Sequence, residues 1–176
     1  MAEEIARQAE KLDFLIQSLT KMSRLESNIL EVRPKEQNLG KLLEECIADV
    51  APKAEKKQIQ VINNCVDNIT AFYDFKWTKE ALYNVLDNAV KYSSPGGAIT
   101  LDLLQDGENV YVLIQDEGRG IAPDDLENVK LKFFKGKGAV RGSGIGLAVV
   151  DEIMTALDGS ADISSELGKG TTVTLR

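Results

Sequence analysis

Asn84 and Asn88 stand four apart in "YNVLDNAVKYSS" (83–94), and Lys91 and Tyr92 follow them. On a helix that spacing puts Glu80, both amides and Lys91 on one stripe, with Leu82, Val85, Leu86 and Ala89 on the opposite side. Asparagine is a poor choice for a merely solvated stripe, because its side chain competes for backbone hydrogen bonds. Its amide carbonyl is, however, a neutral ligand for a hard cation such as Mg²⁺, which usually keeps waters and phosphate oxygens around it. Lys91, one turn on, could then meet a phosphate. The pattern alone equally suits the wet face of a half-buried helix.

Three further stretches carry chemistry. In "QDEGRGIAP" (115–123) Asp116 ends an apolar run, and Gly118 and Gly120 let the backbone turn close to a ligand. A carboxylate there can accept from an exocyclic amine such as that of adenine; a plain turn with a solvated aspartate fits the same residues. In "RGSGIGLAVV" (141–150) Gly142, Gly144 and Gly146 cluster where an apolar helix begins. Helix N-termini carry free N–H groups that suit phosphate. The spacing is neither the dinucleotide G-x-G-x-x-G nor a Walker loop, and simple flexibility before a helix is the alternative. Between them, "LKFFKGKGAVR" sets Phe133 and Phe134 among Lys130, Lys132, Lys135, Lys137 and Arg141. That suits a cationic lid docked by its aromatics over a polyphosphate, or a solvated basic loop with two core phenylalanines.

The elements that must position these residues can be read from periodicity. Asn38 is an N-cap for a helix from Leu39 to about Lys57, in which Pro52 should cause a kink or an early end. "IQVIN" (59–63) and "TAFY" (70–73) read as strands, and Asp74 caps the helix that carries the asparagines. "AITLDLLQ" and "NVYVLIQD" form a hairpin through Asp106-Gly107. A helix from Ser143 to about Leu157 precedes "ADISS", a turn at Gly168-Lys169-Gly170 and a last strand "TTVTLR". Together they predict an α+β fold, one mixed sheet with helices on one face. Before Pro34 the chain differs: Ile5, Leu12, Leu15, Ile16, Leu19, Met22, Leu25 and Ile29 recur with coiled-coil spacing over about 30 residues. One long helix with one apolar stripe needs a partner, and self-association through residues 12–29 is expected.

Composition narrows the function. The 176 residues are 43% hydrophobic and 28% charged, with net charge −7, which argues against general nucleic-acid binding while allowing one local anion site. There is no histidine, so histidine bases, nucleophiles and metal ligands are excluded. Cys46 and Cys65 have no metal spacing and read as ordinary buried thiols in a reducing compartment. No apolar run approaches the ~20 residues of a membrane span, and Met1 begins no signal peptide.

The order of the four motifs resembles the Bergerat-type ATP-binding domain of the GHKL ATPase superfamily, to which DNA gyrase and the sensor histidine kinases belong. "LYNVLDNAVKYS" is similar to the kinases' N box, "DEGRGIAP" to the first glycine box, "KFFKG" to the F box and "GSGIGLAVVDEI" to the second glycine box. "SSELGKGTTVTL" resembles the closing strands. "KLDFLIQSLTKMSRLE" resembles the second helix of the dimerisation and phosphotransfer domain. The resemblance implies an α/β sandwich over 34–176 as catalytic ATP-binding domain, and 1–33 as part of the dimerisation domain. By position it implies Asn88 as the Mg²⁺ ligand, with Asn84 beside the triphosphate and Lys91 on a phosphate, these last two being the catalytic candidates. Tyr92 would border the nucleotide. Asp116 would take the adenine amine, supported by Thr172 through water, and Gly118, Gly120 and Ile121 would shape the base pocket. Lys135 and Arg141 would reach phosphates, and Gly142, Ser143, Gly144, Ile145, Gly146 and Leu147 would wrap them.

Within that superfamily the hydrolysing members place a glutamate one turn before the magnesium asparagine. Here the position is Asn84, which cannot act as a general base, so the resemblance implies a phosphoryl donor. Glu80, a further turn back, is a weaker candidate base. The implied function is Mg·ATP-dependent phosphorylation of a histidine on a helix not in this chain, then transfer to the receiver domain of a response regulator. The implied setting is a homodimer through the amino-terminal helix, in the cytoplasmic part of a membrane-anchored bacterial sensor kinase. The rival readings are an ATP-hydrolysing switch and a degenerate dimerisation scaffold. Two further departures from the pattern are Lys130, where a phenylalanine often stands, and Leu157-Asp158-Gly159 in place of a His-Gly-Gly turn.

Overall fold

Asp74 starts the helix that carries the asparagines: its Oδ1 accepts from Trp77 N at 3.0 Å, as an N-cap does, while Oδ2 accepts from the Arg33 N–H at 2.7 Å. In the computed structural model, the residues described are 31–65, 69–136 and 143–176, with scattered positions between Glu4 and Ser23. The elements are β1 (Lys35–Asn38), α1 (Leu39–Lys56), β2 (Gln60–Asn63), β3 (Thr70–Tyr73), α2 (Phe75–Tyr92), β4 (Ala98–Asp106), β5 (Asn109–Asp116), α3 (Pro123–Leu126), α4 (Gly146–Ala156), β6 (Ala161–Glu166) and β7 (Gly170–Leu175). The main sheet has the order β2-β4-β5-β7-β6; β2 and β4 run parallel and the other neighbours antiparallel. β1 and β3 form a separate antiparallel pair. This is the expected mixed α+β sandwich.

The periodicities decide which faces meet. Leu42, Leu43, Cys46 and Val50 of α1, Ala81, Leu82, Val85 and Leu86 of α2, and Val149, Val150 and Ile153 of α4 are buried. They pack with Ile99, Leu101, Val112, Ile114 and Val173 from the inward positions of the strands. Each large aliphatic side chain so removed from water contributes about 1.5–3 kcal/mol. The polar stripe of α2 is thereby fixed on the side away from the core.

α1 spans Leu39–Lys56, within one residue of the expected bounds, and Pro52 does not end it early: only the bond to the Ala48 carbonyl is lost, while buried Val50 and Ala54 hold both flanks. α4 starts at Gly146 rather than Ser143, so Gly144, at φ +71°, lies before the helix. The short elements β1 and α3 carry no periodic signal and were not expected. At the amino terminus Leu12, Ile16 and Leu19 are helical and more than half exposed. Leu15, Met22, Leu25 and Ile29 of the expected stripe lie outside the described residues.

Lys57 fixes the far end of α2. Its Nζ donates to the carbonyls of Val90 at 2.8 Å, Lys91 at 3.0 Å and Ser93 at 2.6 Å. These are among the carbonyls a helix end leaves without partners, and an ammonium also suits the negative pole. Lys57→Met is expected to cost about 2 kcal/mol of stability in urea unfolding, the typical worth of a charged hydrogen-bond set.

Candidate functional site

The polar stripe of α2 forms one wall of a cavity of about 460 Å³. Asn84, Asn88, Lys91 and Tyr92 reach it from α2, and Asp116, Gly120 and Ile121 from the end of β5 and the loop after it. Phe134 and Lys135 come from the lid, Ser143 and Gly144 from just before α4, and Gly146 and Leu147 from its start. Residues separated by more than sixty positions thus converge. Its size is that of an ordinary small-molecule site.

At one end, Asp116 is buried at 8% exposure. Its Oδ1 accepts from Gly118 N at 2.9 Å and Thr171 N at 3.3 Å. Burial raises the carboxyl above its usual value, and those two backbone donors oppose the rise. Gly118 itself is packed behind the aspartate: a Cβ there would lie 2.7 Å from Asp116 Oδ1 and from the Tyr92 carbonyl. Thr172, expected beside Asp116, faces the other side of the sheet. Thr171 pairs directly with Asp116 in the β5–β7 register and lines the cavity, since side chains alternate along a strand. Reading that register from the antiparallel strands would have found it. The loop after Asp116 is tied down in turn: Ile121 N donates to Ser165 Oγ at 2.9 Å, and that hydroxyl donates to the Gly170 carbonyl at 2.8 Å.

Along the wall, Asn84 Nδ2 donates to the Glu80 carbonyl at 2.7 Å and to Glu80 Oε1 at 3.3 Å. Glu80 therefore also borders the cavity. A Cβ added to Gly146 would sit 3.5 Å from Asn88 Nδ2 and 3.6 Å from Asn84 Oδ1, so the start of α4 directly faces the two amides. Lys91 Nζ lies 5.1 Å from the Tyr92 ring centroid, and the Arg119 guanidinium 4.9 Å from the same ring. Burial lowers the affinity of Lys91 for its proton, Asp87 works against this, and Lys135 and Lys53 add to it. Three lysines thus bear on one cavity, a field that favours an anion.

The lid divides its charges. Lys130 pairs with Asp151 at 2.7 Å and also donates to the Ala161 carbonyl, while Lys132 pairs with Glu152 at 3.0 Å. Those two lysines pin the base of the lid to α4 and β6, and Lys135 faces the cavity. The departure at Lys130 is thereby accommodated by an ion pair. Phe133, at φ +64°, is exposed, and Phe134 turns inward. Gly144 holds the lid close: a Cβ there would lie 2.6 Å from the Phe134 carbonyl oxygen. Ile145 is buried in the core and contributes no cavity surface. Arg141, Gly142 and Lys137 lie outside the described residues. The Leu157-Asp158-Gly159 turn puts Asp158 at φ +57°, and a Cβ on Gly159 would come within 2.2 Å of the Arg176 carbonyl. Its role is to close α4 onto the last strand.

The donor set suits a magnesium ion held partly by other ligands. Among the described residues no three acidic or thiol groups gather. A hard cation beside the Asn88 amide would therefore complete its shell with water and phosphate oxygens, as Mg²⁺ commonly does. Burial pushes the Cys46 thiol up to about 12 and that of the partly buried Cys65 to about 11, which disfavours their thiolate forms. Lys53, Tyr83 and Asp87 also border the cavity; Lys53 comes from another helix, and Tyr83 and Asp87 lie within the asparagine stretch without having been named for the site.

This arrangement, an amide-lined helix facing a glycine-rich helix start across a buried aspartate, defines a nucleotide-binding class. Residues 73–176 match the family model described as histidine kinase-, DNA gyrase B- and HSP90-like ATPase, and the chain belongs to that family. The Sensor-like histidine kinase SenX3 of Mycobacterium tuberculosis is 30% identical over 99% of the chain, which spans 43% of that protein's length. Among solved structures, the Acinetobacter baumannii histidine kinase AdeS superposes with a TM-score of 0.80 at 24% identity, covering 98% of this chain and 81% of that one. Full-length ShkA in complex with AMPPNP gives 0.85 at 24% identity, covering 96% and 36%. These two similarities concern the fold.

Proposed function

We propose that this chain binds Mg·ATP in the α2–α4 cavity and donates the γ-phosphoryl to a histidine supplied from outside these 176 residues. The observation that carries the reading is the facing of Asn84 and Asn88 onto Gly146, with Lys91 and Lys135 bordering the same space and buried Asp116 at its end. Asp116 would accept from the adenine amine, and Tyr92 and Ile121 would flank the base. Asn88 would hold the magnesium ion, which when bound neutralises phosphate charge and orients the phosphates for in-line transfer. Lys91, Lys135 and the first free N–H groups of α4 would hold the phosphates. Gly118 and Ile145 shape the walls from behind. Residues 34–176 would be the catalytic domain, and the helical residues before them part of a dimerisation domain that joins two copies.

Asn84 supports a donor over a hydrolase. Its amide cannot take a proton from water, and it holds the Glu80 carboxylate at 3.3 Å. Because Glu80 borders the cavity, the hydrolase reading stays testable: rapid ATP turnover by the purified chain without an acceptor histidine, abolished by Glu80→Gln, would establish it. Calorimetry with a non-hydrolysable ATP analogue and Mg²⁺ tests the binding itself. A folded protein that takes up no analogue would overturn the proposal. The downstream partner would be the receiver domain of a response regulator, which phosphotransfer from a histidine-bearing longer chain would reveal. A setting on the cytoplasmic face of a membrane goes with this reading, and no helix among the described residues is long and apolar enough to cross one.

Two predictions arise here. Gly146→Ala should leave thermal stability equal or raise it by up to ~1 kcal/mol, since alanine favours a helix over glycine. The added methyl would fill the gap between α4 and the two amides, so affinity for the ATP analogue should fall in the same protein. The exposed apolar side chains of Leu12, Ile16 and Leu19 should drive self-association. A sedimentation profile that stays monomeric at high concentration would contradict this.

A further inference from the structure

Among the described cationic side chains that border the cavity, Lys53 is the one outside the four motifs. It stands on α1, directly after Pro52, yet its ammonium crosses to α2. There it donates to Tyr83 Oη at 3.0 Å and pairs with the Asp87 carboxylate. It also lies 5.4 Å from the Tyr83 ring centroid. An ammonium has three donors. Two are occupied by groups that fix its position, and the side chain borders the same cavity as Asn84, Asn88 and Lys91.

The direction of the cavity says which part of a nucleotide Lys53 could meet. The Asp116 end abuts the last residue of α2, because Gly118 is packed against the Tyr92 carbonyl. Lys53 stands at the Tyr83–Asp87 level, nearer the start of the helix. From Tyr92 back to Tyr83 the helix advances about 13 Å at 1.5 Å per residue. That is about the reach of an adenosine triphosphate lying along the stripe with its base at Asp116. Lys91 and Asn88 then fall at intermediate levels, and Lys53 at the far end.

Resting on the reading of the cavity as an ATP site, we propose that Lys53 is a specificity-determining residue that meets the terminal phosphate and distinguishes triphosphate from diphosphate. Tyr83 and Asp87 hold its ammonium in place. The carboxylates of Asp87, which pairs with it, and Glu80, which borders the same cavity, keep the region from attracting any anion indiscriminately, so a gain in affinity requires the full negative charge of the terminal phosphate.

The test is calorimetry with Mg²⁺ and either ADP or a non-hydrolysable ATP analogue, on wild type, Lys53→Met and Lys53→Arg. Lys53→Met should weaken the ATP analogue about tenfold and leave ADP within about twofold, the loss of one charge-assisted hydrogen bond. Lys53→Arg should recover part of the preference. Thermal unfolding of each variant identifies any loss of fold, which is not expected at a side chain 53% exposed. Equal weakening of both nucleotides, or an unchanged preference for the triphosphate, would overturn the assignment. Failure of wild type to bind ADP would instead count against the ATP site itself.

Discussion

Asp116→Asn is expected to lower affinity for adenine nucleotides roughly a hundredfold while leaving the fold at least as stable as before. The carboxylate sits at 8% exposure, and its Oδ1 already accepts from Gly118 and Thr171. Its second oxygen is what an exocyclic amine would need. An asparagine can keep the backbone bonds through its carbonyl, but it then turns an NH₂ donor toward the amine, so donor meets donor. For stability the sign is opposite. Burial raises this carboxyl above its usual value of 3.8, which means the charged form is penalised in the folded state. As pH falls through the raised value, the folded protein takes up the proton before the unfolded chain does, and this group's contribution to stability improves. In that same window the acceptor is lost, so nucleotide affinity should decline on acidification from a pH above 3.8. Calorimetry with ADP across pH, set beside thermal melts, checks both halves. A variant that binds ADP normally would remove Asp116 from the base site.

Gly170→Ala should destabilise the domain by roughly 3 kcal/mol, the combined order of a strained backbone and an overpacked contact. Gly170 has φ +127°, and a Cβ there would lie 2.0 Å from the Asp116 carbonyl oxygen. The Cβ is fixed to the β7 backbone and the carbonyl belongs to the β5 backbone paired with it, so neither can move aside as a flexible side chain would. The damage falls where β7 begins against the end of β5, so nucleotide affinity should fall with stability. Gly168, two residues earlier, is the control. It too has positive φ, +82°, but open space lies where its Cβ would stand. Gly168→Ala should therefore show only the cost of the left-handed backbone, about 1 kcal/mol. Urea unfolding of the two variants separates contact from conformation; equal losses would refute the close-approach argument.

Much of the scaffold could be read because local chemistry repeats over several residues. α2 was legible from its Asp74 cap and its apolar side, and β4, β5 and β7 from alternation and turn glycines. β1 and α3, four residues each, repeat nothing and become visible only through their tertiary contacts. At Pro52 the early end that a proline allows does not occur, because the burial of its neighbours outweighs the local signal and α1 reaches Lys56. At the site, the motif residues on α2, the Asp116 loop and the start of α4 were named from sequence. Thr171 was missed by one position, and one position on a strand is a change of face.

By itself, then, the sequence determined the inventory: two amides and a lysine on one helical stripe, an aspartate before a glycine turn, glycines at a helix start, and no histidine anywhere. Those are properties of residue type and of spacings within one turn or one hairpin, which the chain carries locally. Only the tertiary structure decided which charges share a space. It assigned Lys130 and Lys132 to ion pairs with α4, turned Lys135 toward the cavity, and brought Lys53 across from α1 to Tyr83 and Asp87. The physical reason is that a lysine's partner is set by packing between elements distant in sequence, and no local pattern records it.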